Sequence, residues 1–212
     1  RGAAGEFRGW QPYDRQRRQG RWQRREETAA ATAQAFCRKR QYVSARDWWR
    51  PAYVGVGSNL DEPIARVRGA LAALRELPQS TAFIDSGLYR SAPLGPAGQP
   101  DFINAVAAFL TRLDGHALLL RLQALENAGG RTRSGERWGP RMLDLDLLVL
   151  GRVTLDEPDL RVPHPRIAER NFVLLPLAEI APHLPVPGQG SVLRLLAAVA
   201  NSEPRIERLE QL

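Results

Sequence analysis

Apolar positions recur at two different periods between residues 52 and 200, and the changes of period predict an ordered series of elements. Ala52-Tyr-Val-Gly-Val-Gly57 alternates small and β-prone residues and breaks at Gly57-Ser-Asn59, which predicts a strand running into a turn. Asp61 reads as an N-cap and Pro63 falls within a first helical turn. Ile64, Val67, Leu71, Leu74 and Leu77 then keep helical spacing until Pro78. Ala82 to Tyr89 is strand-like and enters the turn-rich stretch Ala92-Pro-Leu-Gly-Pro-Ala-Gly-Gln-Pro100, after which Phe102 to Leu113 reads as the partner strand. His116 to Asn127 carries Leu118, Leu119, Leu122 and Leu125 on one side and closes at Gly129-Gly130, the pattern of an amphipathic helix. A polar loop from Arg131 to Arg141 precedes Leu143 to Leu150, the strongest strand in the chain. Gly151-Arg152 then reads as a hairpin turn into Val153 to Asp156, and Asn171 to Ile180 and Ser191 to Ala200 read as helices. The order β-α-β-β-α-β is the ferredoxin-like split pattern, an α+β fold with a mainly antiparallel sheet and flanking helices.

Composition narrows the class. The 212 residues are 43% hydrophobic and 25% charged, one cysteine leaves no disulfide framework, and no uncharged apolar run reaches the ~18 residues of a membrane span. Taken whole, the net charge of +7 suggests a polyanion as partner. Charge is not spread evenly, however. Residues 1–51 hold 13 basic and 5 acidic side chains, a net of +8, whereas residues 52–212 hold 17 and 18, a net of −1. The first segment also contains Trp10, Trp22, Trp48 and Trp49, the only cysteine (Cys37) and the only lysine (Lys39). The chain therefore divides near Pro51 into a basic extension, expected to be disordered and helical at most around Thr28 to Arg40, and a nearly neutral domain over residues 52–212.

Arg15-Gln-Arg-Arg18 and Arg21-Trp-Gln-Arg-Arg25 interleave arginine with an aromatic, a chemistry suited to phosphates and stacked bases. Three readings of the extension stay open: an incidental extension or translated sequence upstream of the natural start, a targeting peptide, and a binding tail. A single serine (Ser44) and five acids disfavour targeting.

The domain's chemistry concentrates in Arg131-Thr-Arg-Ser-Gly-Glu-Arg-Trp-Gly-Pro-Arg-Met-Leu-Asp-Leu-Asp146. Asp144 and Asp146 leave one face of a strand, while Leu143, Leu145 and Leu147 leave the other. Two carboxylates held so close repel unless a cation neutralises them, and hard oxygen donors of this kind suit Mg²⁺ carried with substrate phosphates. Arg131, Arg133, Arg137 and Arg141 lie on the adjoining Ser-Gly loop, and arginine presents a fixed fork of donors to phosphate oxygens. Carboxylate ligands beside a cationic loop are the parts of phosphoryl-type transfer. An Asp-x-Asp strand and an arginine-rich loop can each also be merely a solvated face. Residues 52–212 contain no P-loop and no lysine, no protein-kinase signature, no Gly-x-Ser-x-Gly, and histidines too scattered to suggest a zinc site.

Five ordered blocks carry a family resemblance: Tyr53-Val-Gly-Val-Gly-Ser-Asn-Leu60, Tyr89-Arg-Ser-Ala-Pro-Leu-Gly95, Gln99-Pro-Asp-Phe-Ile-Asn-Ala105, Glu136-Arg-Trp-Gly-Pro-Arg-Met-Leu-Asp-Leu-Asp146, and Val162-Pro-His-Pro165 with Arg170-Asn-Phe-Val-Leu174. Together they resemble 6-hydroxymethyl-7,8-dihydropterin pyrophosphokinase of folate biosynthesis over about residues 52 to 200. The resemblance implies Mg-dependent transfer of the β,γ-diphosphoryl unit of ATP to the pterin hydroxymethyl group, releasing AMP, with two magnesium ions held by Asp144 and Asp146. It implies that Arg131, Arg133, Arg141, His164 and Arg170 meet ATP phosphates, with Arg131 and Arg141 catalytic beside the aspartates, and that Trp138 rides the loop sealing the site. Phe102 and Phe172 would sandwich the pterin, Asn104 would read its edge, and Ser91, Ala92 and Leu94 would approach it through backbone groups. Gln123, Glu126 and Leu147 are implied near the pterin and nucleotide sites, Gln123 and Leu147 on the ATP side.

Two departures stand out. Phe102 replaces the tyrosine of some relatives, so stacking survives and any hydroxyl contact is lost. Asp159 stands where others have arginine, and no ATP contact is assigned there. The resemblance further implies a cytoplasmic monomer acting on ATP and pterin, without a membrane or a nucleic acid. The competing reading, a nucleic-acid binder on a ferredoxin-like fold, expects salt-dependent binding by the full chain. It lacks the basic and aromatic stacking motif of an RNA-recognition sheet within residues 52–212.

Overall fold

The computed structural model describes residues 48–95, 98–130 and 140–210, within a compact unit spanning 46–212. Of the sequence expectations, the first 47 residues of the extension and the loop positions Arg131, Arg133, Arg137 and Trp138 lie outside the described residues. The main sheet comprises β1 (Arg50–Ser58), β2 (Ser80–Asp85), β3 (Tyr89–Ser91), β4 (Phe102–Thr111), β5 (Asp144–Leu150) and β10 (Ile206–Arg208). Its order is β10-β3-β4-β1-β5 with β2 also on β4, and every pairing is antiparallel. This is the split order expected, with β1 central between β4 and β5.

Two apolar layers sandwich the sheet. On one face Val54, Val56, Phe109, Leu145 and Leu147 pack under α1 (Pro63–Arg75) and α2 (Gly115–Ala128), through Val67, Leu71, Leu74, Leu118 and Leu122. On the other, Val106, Leu148 and Val149 pack under α3 (Asn171–Ile180) and α4 (Val192–Val199), through Leu174, Leu177, Val192 and Leu195. A bulge in β5 lets one strand feed both layers: Tyr53 pairs Val149 and Val54 pairs Leu147, which leaves Leu148 between them. Residues 144 and 146 precede the bulge, so their side chains fall on the α3 face, beyond the end of the core.

Four expectations need correction. The strand expected over Ala82–Tyr89 is two strands, because the chain leaves the ladder where Ser86 turns in and its hydroxyl accepts from Val106 N–H at 3.0 Å. Asp61 is not the N-cap. Glu62 occupies that position with φ 61°, and Asp61 instead accepts from the Arg66 Nε–H through its carbonyl at 2.7 Å. The residues after Gly151-Arg152 do not return onto β5; β6 (Leu155–Asp156) pairs with β7 (Arg161–Val162), as β8 (Pro185–Val186) later pairs with β9 (Gly190–Ser191). Strand β1 begins at Arg50 rather than Ala52.

Helix α2 is capped by Asp114, which accepts from Ala117 N–H at 2.9 Å, and Gly130 at φ 87° follows its end. The edge strand β10, not anticipated from sequence, is fastened by Glu179. That carboxylate accepts from Gly87 N–H (3.0 Å), Tyr89 Oη–H (2.8 Å) and Arg208 Nη2–H (2.7 Å). Burial, and next the hydrogen bond to Glu179, push the Tyr89 phenol up to about 12, so it stays a donor at neutral pH. This clamp steadies β3, which ends at Ser91 on the wall of the cleft described below.

Candidate active site

A cleft of about 250 Å³ opens on the α3 face of the sheet, at the end of β1 where β4 and β5 begin. Its floor is Gly55 and Gly57. Gly57 pairs with Asn104 on one side and Asp144 on the other, and Gly55 pairs with Val106 and Asp146. The two glycines leave the space that side chains on the central strand would occupy.

One end of the cleft is charged. Arg141 Nη1 pairs closely with Asp144, Arg170 Nη1 lies 3.1 Å from Asp146 Oδ2, and His164 Nε2 lies 3.8 Å from the same oxygen. Burial first, and then the neighbouring Asp146 charge, push the Asp144 carboxyl up to about 6, against the opposing pull of Arg141. Burial also holds the His164 imidazole below its usual range. Its Nδ1 accepts from Arg166 N–H at 3.2 Å, so the neutral ring carries its proton on Nε2, toward Asp146. His164 thus both bonds within its own turn and lines the cleft. Among the described residues, Arg170 Nε is a buried donor with no partner, although Arg170 also stands 5.8 Å from the centre of the Phe172 ring.

The other end is flat and apolar, with Phe102, Phe172, Ala92 and Leu94 lining it around one amide. Asn104 Nδ2 donates to Ser91 Oγ at 2.9 Å, and a Cβ at Gly57 would sit 3.5 Å from Asn104 Oδ1. The amide thereby offers its oxygen to the cleft, an acceptor for an N–H edge.

Neighbouring residues fix these positions from behind. Glu126, buried on α2, accepts from Leu145 N–H at 2.9 Å, which satisfies the outer edge of β5 between the two aspartates. Asn171 Nδ2 donates to the carbonyls of Ser202 and Pro204, each at 2.8 Å, anchoring the turn that carries Arg170 and Phe172.

The cleft therefore gathers Ser91, Ala92, Leu94, Phe102, Asn104, Arg141, Asp144, Asp146, His164, Arg170 and Phe172. Gln123 on α2 and Leu147 are not among its lining residues; the Leu147 side chain lies in the core under α1 and α2, on the opposite face of the sheet. Gly55 and Gly57 line the cleft although the sequence reading gives them no place in the site. The usable signal was a pair of glycines two apart on a strand expected at the sheet centre.

The donor set fits a divalent cation. Two carboxylates project from one strand face, one of them held up by repulsion from the other, and each already draws a cationic side chain. A second group, exposed His116 with Glu157 and Asp159, brings one ligand atom from each residue within 4.8 Å of the others. The ring turns Nε2 to Glu157 (2.9 Å) and Nδ1 to Asp159 (3.9 Å), bridging α2 to the β6–β7 connection.

Comparison with known proteins bears on the family and the fold. The family model described as 7,8-dihydro-6-hydroxymethylpterin-pyrophosphokinase (HPPK) matches residues 53–182. The 2-amino-4-hydroxy-6-hydroxymethyldihydropteridine pyrophosphokinase of Pseudomonas aeruginosa is 50% identical over 146 residues, covering 69% of this chain and 90% of its own. The Haemophilus influenzae protein of the same name is 41% identical over 150 residues, covering 71% and 93%. Among solved structures, Plasmodium falciparum HPPK-DHPS with pterin and p-hydroxybenzoate aligns with a TM-score of 0.57 at 13% identity, over 76% of this chain and 46% of that one. At that identity the likeness speaks for the fold, and the chain spans less than half of the solved protein. On the match over residues 53–182 and the two curated relatives, the chain belongs to the 7,8-dihydro-6-hydroxymethylpterin-pyrophosphokinase family.

Proposed function

We propose that the chain transfers the β,γ-diphosphoryl group of ATP to the hydroxymethyl oxygen of 6-hydroxymethyl-7,8-dihydropterin, releasing AMP, as the pyrophosphokinase step of folate biosynthesis. The observation that carries this reading is a single cleft with two chemically distinct ends, joined over a glycine floor. A flat heterocycle needs apolar faces and a few placed polar groups, which Phe102, Phe172 and the Asn104 oxygen supply. A polyphosphate needs cations and metal-binding carboxylates, which Arg141, Arg170, Asp144 and Asp146 supply.

In the reaction the pterin oxygen bonds to the β-phosphorus, the bridging bond to the α-phosphate breaks, AMP leaves and the hydroxymethyl proton is released. Asp144 and Asp146 would hold two magnesium ions, whose charge would neutralise the phosphates and polarise the alcohol. Arg141 and Arg170 change partner from carboxylate to phosphate, and the unpaired Arg170 Nε is already available to an oxygen acceptor. Neutral His164 offers its Nε2 proton to a phosphate oxygen without adding charge. Arg131, Arg133 and Trp138 are assigned to phosphate contact and to sealing the site, and Ser91, Ala92 and Leu94 to the pterin wall. Gln123 and Leu147 are assigned to the nucleotide from outside this cleft wall. No described helix is long and apolar enough to cross a membrane. The reading places the enzyme in the cytoplasm as a monomer, with ATP and the pterin as its partners and no nucleic acid.

Chromatography of the nucleotides after incubating the full chain with ATP, magnesium and the pterin tests the reaction class. AMP is the expected product, and ADP would contradict diphosphoryl transfer.

Asp144 adds a pH dependence. Its raised pKa means that the folded chain holds this proton more tightly than the unfolded chain does. The stability so contributed is complete below the ordinary carboxylate range and is lost as pH rises through about 6. Above that pH the ionised pair is a cost that a bound cation relieves. Magnesium should raise Tm by about 3 °C at neutral pH and by much less one pH unit below the Asp144 midpoint. An equal rise at both pH values would contradict the assignment of the cation to this pair.

A further inference from the structure

We infer that Asn59 is a positioning residue that couples the two ends of the cleft by tying together the loops that enter β4 and β5; the inference rests on the functional reading above. Because β1 lies between β4 and β5 and runs antiparallel to both, both loops pass its end. The ladder to β4 stops at Ser58 and the ladder to β5 at Gly57, and Asn59 then meets the two incoming segments at once.

Toward β5, Asn59 makes a closed pair with one residue: its N–H donates to the Arg141 carbonyl at 3.1 Å, and its Oδ1 accepts from Arg141 N–H at 2.8 Å. Ser58 Oγ–H adds a bond to the Met142 carbonyl at 2.6 Å. Toward β4, Asn59 Nδ2 donates to the Pro100 carbonyl at 3.2 Å and reaches Gln99 Oε1 at 3.4 Å. Ser58 and Asn59 are almost wholly buried, at 0% and 1% exposure, so water cannot stand in for these partners.

The chemistry dictates which side chain fits. Arg141 N–H is only a donor and Pro100 C=O only an acceptor, which fixes the orientation of the amide between them. An amide alone serves both. A carboxylate of the same shape keeps the Arg141 bond but sets like against like at Pro100. Arg141 leads to the aspartates, and Pro100 leads to Phe102 and Asn104, so each half of the link governs one substrate.

Three full-length variants separate the halves: Ser58→Ala, Asn59→Asp and Asn59→Ala. Calorimetry at neutral pH, below each measured Tm, gives the Kd of α,β-methylene-ATP with magnesium and the Kd of 6-hydroxymethylpterin, each with and without the other. Asn59→Asp should weaken pterin about tenfold and the nucleotide less than about threefold, and Ser58→Ala should do the reverse. Asn59→Ala should weaken both and bring the mutual effect of the two ligands toward one. If Asn59→Asp folds too poorly to assay, Ser58→Ala and Asn59→Ala carry the test alone. Variants that lose Tm with both Kd values unchanged, or an Asn59→Asp or Ser58→Ala chain that shifts both Kd values equally, would overturn the inference. A wild-type chain that binds neither ligand would instead overturn the functional reading.

Discussion

Asp146→Ala should lower diphosphoryl transfer by on the order of 10³-fold, about 4 kcal/mol of transition-state stabilisation, with pterin affinity nearly unchanged. Asp146 is the carboxylate on which the charged end of the cleft converges: Arg170 Nη1 sits at 3.1 Å and His164 Nε2 at 3.8 Å from its Oδ2. Removing it takes away one oxygen donor for the cation and leaves Arg170, whose Nε already has no partner, without its carboxylate. The fold itself should bear the change well, because the Asp146 charge, which after burial is what holds Asp144 up, disappears with it. Asp146→Asn keeps the shape and should lose nearly as much activity, which assigns the effect to charge. Steady-state rates at saturating magnesium, alongside pterin titration, check this. Near-full turnover of Asp146→Ala with magnesium would contradict the metal role.

The second large effect is expected from a residue that carries no functional group. Gly57→Val should weaken pterin binding by at least ~100-fold while leaving the fold as stable as before or slightly more so. A Cβ at position 57 meets only Asn104 Oδ1, at an ordinary 3.5 Å, and the backbone there needs no glycine-only angle. In a central strand valine is favoured over glycine by roughly 0.5–1 kcal/mol. Its methyl groups, however, would stand on the cleft floor between Asn104 and Asp144, the two residues paired with position 57. Gain or retention of Tm together with loss of binding separates a filled site from a damaged fold. Unchanged pterin affinity in a folded Gly57→Val chain would place the pterin elsewhere.

Periodicity made the helices legible because each buries one continuous face, and the central strands because apolar residues fill both faces of a sandwiched sheet. The alternation through Asp144 and Asp146 was readable as well, and the structure sets both on the side where His164 and Arg170 arrive from α3 and the turn before it. What escaped was settled by partners distant in sequence. The run Leu147–Leu150 is apolar throughout, so nothing in it announces the bulge that sends Leu148 and Val149 to one layer and Leu147 and Leu150 to the other. The Gly151 turn looks like a hairpin, yet β6 finds its hydrogen bonds on β7. Asn59 reads as a turn former, although its amide is spent on Arg141 and Pro100, about 80 and 40 residues away. The family resemblance located most of the cleft's side chains, whereas the glycine floor and the Ser58–Asn59 link depend on which strand is central, and that is a property of topology.

The fate of the diphosphate tests the central claim most directly. Phosphorus NMR of a single reaction, containing the full chain, ATP, magnesium and 6-hydroxymethyl-7,8-dihydropterin, follows all the phosphorus at once. Loss of the three ATP resonances should be matched by an AMP singlet and by two mutually coupled resonances of a pterin diphosphate ester, with the same ATP untouched when the pterin is left out. ADP with a phosphomonoester, or AMP with free pyrophosphate, would contradict transfer of the intact diphosphoryl group to the pterin.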